Sequence, residues 1–77
     1  MILGEIWDCP NGRYLAFIDK TNDLISTKTG AKIGTHKERK LYNLNGEWIG
    51  SIMPISSSQA QVEGEALARL ERLAGGP

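Results

Sequence analysis

Short bursts of alternating apolar and polar residues run through the first two thirds of the chain, and a glycine turn breaks them at near-regular intervals. With Gly12, Gly30 and Gly46 aligned, Leu15, Ile33 and Ile49 fall three places later, followed directly by Ala16, Gly34 and Gly50. Trp7, Ile25 and Leu41 stand five places before the glycines. The intervals are 18 residues (12 to 30) and 16 residues (30 to 46). A recurring unit of apolar run, turn and apolar run predicts a repeated β-hairpin. Asn11-Gly12 and Asn45-Gly46 are type I′ signals, because both central residues of that turn need positive φ, which Asn tolerates and Gly adopts freely. Thr29-Gly30 is the weaker member of the set.

Segments rich in β-branched and aromatic residues flank these turns and predict six strands, at Glu5–Cys9, Tyr14–Asp19, Leu24–Thr27, Lys32–His36, Leu41–Leu44 and Trp48–Met53. The connectors Lys20–Asp23 and Lys37–Lys40 are short and polar, so successive hairpins stay adjacent. A small residue at one place in each unit, Ala16, Gly34 and Gly50, implies close backbone approach where three hairpins meet around an axis; a strand glycine also marks a β-bulge. After Ser56 the period changes. Ser56-Ser-Ser58 reads as linker and helix cap, with capping-box spacing from Ser58 to Gln61. Val62, Ala66, Leu70 and Leu73 then recur at helical intervals. Gly64 inside that helix costs about 1 kcal/mol relative to Ala, and Gly75-Gly76-Pro77 ends it. The expectation is a mainly β fold: three Gly-turn hairpins around a pseudo-symmetry axis or small barrel over 1–54, a linker and cap at 55–58, a helix at 59–74 and a tail at 75–77.

Seventy-seven residues build one small domain and leave little room for a deep cleft. Nine basic and nine acidic side chains cancel, so no net field draws the molecule to nucleic acid or an anionic membrane. The single cysteine, Cys9, offers no internal disulfide, and no Cys and His grouping has zinc-ligand spacing. No basic stretch leads into a long apolar run near Met1, and no apolar run reaches spanning length. A cytoplasmic protein without a membrane contact is expected.

The densest charge is Lys28, Lys32, Lys37, Arg39 and Lys40, interrupted by Glu38 alone. Such a face suits the phosphates of a nucleic acid, with Tyr42 or Trp48 to stack on bases, or an acidic protein partner. Lysines on strand edges also guard a sheet against edge-to-edge pairing. Trp7, Tyr14, Tyr42 and Trp48 are assigned mainly to the core, with Tyr42 the most exposed. The helix stripe Val62, Ala66, Leu70 and Leu73 must bury itself on the β unit or on another copy, which makes it a self-association element. Cys9 and His36 lie at unrelated offsets in different units and predict no catalytic pair. Asp8, Asp19 and Asp23 sit where Asp bonds the backbone rather than a metal. Gly30-Ala-Lys-Ile-Gly34 lacks the remaining residues of a phosphate loop. No enzyme activity, cofactor or metal site is expected.

The segments Ile6-Trp-Asp-Cys-Pro-Asn-Gly-Arg-Tyr-Leu-Ala-Phe-Ile-Asp19 and Leu41-Tyr-Asn-Leu-Asn-Gly-Glu-Trp-Ile-Gly-Ser-Ile52 resemble the units of the bacterial four-fold beta flower domain. The resemblance covers about residues 5–53. The middle unit, Leu24 to Gly34, lacks the aromatic residue before its turn, and a fourth unit would come from Met1–Gly4 or from the chain after Met53. The resemblance implies short hairpins around a pseudo-symmetry axis, in small bacterial proteins of unassigned function, many on phage or mobile elements; it brings no catalytic residues. The function expected is a small non-catalytic binding or oligomerising module, a phage or mobile-element accessory protein that binds another protein and assembles as a homo-oligomer. The alternatives are a nucleic-acid-binding protein using the basic loop 28–40, and a small-molecule binder with its site at an oligomer interface.

Overall fold

The computed structural model describes residues 2–8, 12–62 and 64–75. Strands β1 (Ile2–Asp8), β2 (Arg13–Asp19), β3 (Asp23–Ser26), β4 (Lys32–Lys37), β5 (Lys40–Asn43) and β6 (Trp48–Ser51) form an antiparallel meander. A hairpin of β7 (Met53–Pro54) and β8 (Gln59–Gln61) follows, then helix α1 (Gly64–Leu73). The sheet order is β6-β5-β4-β3-β2-β1-β8-β7, with β8 parallel to β1. β6 and β7 end the sheet on opposite sides, yet only Ile52 separates them along the chain. The sheet therefore curls into a nearly closed barrel.

Eight strands replace the six expected, and the three hairpins are not separate units about an axis: β2–β3 and β4–β5 pair as directly as the glycine-turn hairpins do. What repeats is a pairing. Ile6 faces Ala16, Leu24 faces Gly34 and Leu41 faces Gly50, and the large partner is 0% exposed each time. The next pairs are Trp7 with Tyr14, Ile25 with Lys32 and Tyr42 with Trp48, which leaves Leu15, Ile33 and Ile49 as bulge residues. All three bulge residues are buried. Each bulge thus feeds one extra apolar side chain to the core beside its large and small pair. The third turn is one residue shorter than the others, so Leu41 corresponds to Ile6 and Leu24, and Tyr42 to Trp7 and Ile25.

The small residues serve close approach, but to different neighbours. A methyl group on Gly34 would overlap the carbonyl oxygen of Tyr42 on the next strand, and one on Gly50 would overlap the methyl of Ala66 on the helix.

After Met53 the structure departs from the helical expectation. Ser56–Ser58 belongs to the turn of the β7–β8 hairpin, where Ile55 N and Ser56 N donate to the carbonyl of Gln59 at 2.8 and 3.1 Å, and is neither linker nor cap. Gln59–Gln61 alternates half-buried, buried, half-buried, a strand period that completes the open edge of β1. The helix starts at Gly64, whose φ of 65° places it at the helix entry rather than in its interior. Val62, Leu70 and Ala74 join the barrel core, with Ala66 and Leu67 packed against it.

Candidate functional site

The helix closes one end of the barrel. Ser26 Oγ donates to the carbonyl of Ala74 at 2.6 Å, and Arg69 donates to the carbonyl of Ile49 at 3.1 Å, which occupies a backbone acceptor of terminal strand β6. Arg13 bridges from buried Asp8 to Glu71 of the helix. A cavity of about 250 Å³ lies there, lined in part by Arg13, Lys28 and Glu71. Its charges are already engaged, since Lys28 donates to the carbonyl of Gly75 at 3.2 Å. The helix covers this end, and its charges are internally neutralised.

No helix residue lines the opposite end, which is open in that sense. A second cavity, of about 160 Å³, has an apolar wall that includes Leu3, Ile6, Ile18, Ile52 and Pro54, and a polar rim of Asn22, His36 and Ser56 to Ser58. Two turns meet at this rim. His36 N donates to the carbonyl of Asn22 at 2.8 Å, and its ring Nδ1 lies 3.1 Å from Asn22 Oδ1. Its Nε2 accepts the backbone N–H of Arg39 at 3.3 Å, so the proton sits on Nδ1, facing the amide oxygen. Burial pushes the His36 pKa below its ordinary value and favours this neutral form. Asp19, at the base of the Asn22 turn, accepts from the Thr21 hydroxyl and the backbone of Thr21 and Asp23, which holds its carboxyl below the usual carboxylate range.

The β4–β5 turn differs from the glycine turns, and from the β2–β3 turn with its single left-handed Asn22 at φ 65°. Gly12, Gly30 and Gly46 supply positive φ at the glycine turns, whereas Glu38 and Arg39 adopt φ of 51° and 66° with full side chains. Arg39 is anchored to the cavity rim on both sides, through its N–H to His36 and through its carbonyl, which accepts from Ile52 N at 2.9 Å. Lys37 and Lys40 pair across the strands that this turn joins. Among the described residues, Lys37, Arg39 and Lys40 have no carboxylate partner.

The basic loop 28–40 is therefore divided. Lys28 sits at the helix end, Lys32 pairs with Asp23 at 3.2 Å, and only Lys37, Arg39 and Lys40 gather at the open end. Tyr42, two residues along β5 from Lys40, pairs with Trp48 on β6. Trp48, not Tyr42, is the exposed aromatic, at 57%, while Trp7 and Tyr14 stack half-buried with ring centroids 5.0 Å apart. Of the helix stripe, Val62, Ala66 and Leu70 are committed to this chain's own barrel, and Leu73 alone reaches the surface.

Cys9 lies outside the described residues. Asp8 is buried at the helix end, whereas Asp19 and Asp23 share one turn near the open end. Among the described residues no group of three His, Cys, Asp or Glu side chains is arranged to hold a metal ion, and no helix is long and apolar enough to cross a membrane.

Comparison with protein-family models, curated proteins and solved structures returns no match. The site therefore stands on its own geometry. Two of its parts escape a reading along the chain, namely the His36–Asn22 junction and the serine turn. Both arise from contacts between distant segments, and only the polar, left-handed-tolerant Asn22 hints at the first.

Proposed function

We propose that this chain is a non-catalytic binding module that receives an acidic protein segment at the open end of its barrel. Lys37, Arg39 and Lys40 meet carboxylates of the partner while one apolar side chain of the segment enters the adjoining cavity. The carrying observation is the Glu38–Arg39 turn, where two successive long side chains occupy left-handed backbone that the three glycine turns give to Gly12, Gly30 and Gly46 and the β2–β3 turn gives to the tolerant Asn22. Left-handed backbone costs an L-residue roughly 1–2 kcal/mol. A turn that sacrifices stability to present a cation beside an apolar cavity is a feature of function rather than of folding.

Size favours a protein segment over a small molecule. At about 160 Å³ the cavity falls below the roughly 300–1,000 Å³ of drug-sized sites, but suits a single apolar side chain. Tyr42, two residues from Lys40, is half-buried, and the exposed Trp48 lies one strand farther on, which argues against nucleic acid, whose single strands are held by cations and exposed stacking aromatics in one groove. The resemblance to the beta flower domain extends the proposal to a phage or mobile-element accessory protein working in the cytoplasm.

Calorimetric titration with an acidic peptide carrying one leucine tests this reading. Binding is expected to weaken with salt, with Leu→Ser in the peptide, and with Lys37→Glu, Arg39→Glu and Lys40→Glu in the protein. Binding of single-stranded DNA in place of the peptide, or equal binding by the charge-reversed protein, would overturn it.

A further inference from the structure

Among the described residues, the seven large apolar side chains that remain exposed form two groups. Ile2, Leu3, Met53 and Ile55 belong to the segments around or beside the open end. Leu44, Trp48 and Leu73 belong to a second face, built from the β5–β6 hairpin and the last turn of the helix. There a shallow cavity of about 220 Å³ is lined by Asn43, Trp48, Ile49, Arg69, Arg72 and Leu73.

Charges of opposite sign stand on this face. Asn43 organises the hairpin turn, its Oδ1 accepting from Asn45 N and Glu47 N at 2.9 Å each. Its Nδ2 donates to Glu47 Oε1 at 3.0 Å and so holds that carboxylate beside the cavity. Arg69 is spent within the chain, on the carbonyl of Ile49 and on Glu65 at 3.0 Å. Arg72 has no carboxylate partner among the described residues, so the face offers one anchored anion and one uncommitted cation around an exposed tryptophan.

We infer that this face binds a second copy of the chain across a two-fold axis. A two-fold contact presents the same patch from both sides, so it needs a surface that complements itself. Trp48 and Leu73 of one copy cover those of the other, while Glu47 of each meets Arg72 of its mate. Trp and Arg at the centre of a patch are the residues that dominate interface energetics. A purely acidic or purely basic partner would leave one of the two charges unmet. The dimer also assigns a surface role to Leu73, the one member of the helical stripe that the barrel core does not absorb.

The test is mass by light scattering and sedimentation on the full chain over a wide concentration range. The parent is expected to be a dimer that dissociates on dilution, and Trp48→Gln a monomer that melts like the parent monomer. Glu47→Arg and Arg72→Glu are each expected to abolish the dimer, and the two together to restore it. A parent that stays monomeric at the highest concentration would overturn the inference, as would a dimer indifferent to Trp48→Gln or a double swap that fails to restore what each single swap removes. Reversal of Lys37, Arg39 and Lys40 leaves the dimer intact on this account, which separates it from the proposed partner site.

Discussion

His36 Nε2 accepts the backbone N–H of Arg39 at 3.3 Å, so the imidazole supports the turn that displays the cations. Protonation would make both ring nitrogens donors and set an N–H against the Arg39 N–H. Burial already lowers the His36 pKa from its ordinary 6.5. With the folded value below the unfolded one, the unfolded chain binds the proton first as pH falls. Stability is therefore flat above the ordinary value and declines as pH drops below it. Urea melts between about pH 5 and pH 8 should show that decline, and His36→Gln should flatten it.

Arg39→Gly relieves a left-handed residue in the β4–β5 turn. The variant is expected to be more stable by about 1 kcal/mol, read as a higher urea midpoint with unchanged slope. Affinity for the acidic peptide should fall at the same time. A variant that loses stability would show that the Arg39 side chain supports the fold.

Gly50 and Ala66 leave no room for another methyl between β6 and the helix. Gly50→Ala should destabilise by about 1–3 kcal/mol, and Ala66→Gly in the same chain should recover part of that loss. Gly34→Ala should be the more severe change, because its methyl meets the Tyr42 backbone carbonyl, which is held by strand pairing. Thermal melts of the three variants decide both points.

Ser26 is fully buried and ties β3 to the end of the helix. Its hydroxyl donates to the Ala74 carbonyl and accepts from Lys28 N and Thr29 N at 3.2 and 3.3 Å. Ser26→Ala strands these groups and should cost about 1–3 kcal/mol. Amide hydrogen exchange should then quicken in the last helical turn before it does in the meander.

Removal of the residues after Met53 takes Ala60, Val62, Leu70 and Ala74 out of the core and leaves the edge of β1 unpaired. The truncated chain is expected to lose its cooperative unfolding transition. A sharp transition retained by that chain would show that the meander folds alone.

The glycine turns and the first six strands were legible to within a few residues, because turn chemistry and short-range alternation specify them. The bulges at Leu15, Ile33 and Ile49 were half legible: a small residue followed each, but the shorter third turn concealed that Leu41 matches Ile6 rather than Trp7. Gln59–Gln61 misled, since its capping-box spacing is a local helix signal while the need of β1 for a partner is a tertiary one. Trp48 misled in the opposite way, its size suggesting core although its pairing with Tyr42 leaves it outward. At the basic site, charge density along the chain could not show that Lys28 and Lys32 are engaged elsewhere, while Lys37, Arg39 and Lys40 share one tip.

The central claim is that an acidic segment is received at the open end, and the most direct measurement is backbone amide shift mapping of the labelled chain titrated with the leucine-bearing acidic peptide. The account expects saturable shifts confined to His36 through Lys40, Asn22, Ile52 and Ser56 to Ser58, absent from the charge-reversed variant. Shifts centred on Trp48 and Arg72, or none at any peptide concentration, would contradict it.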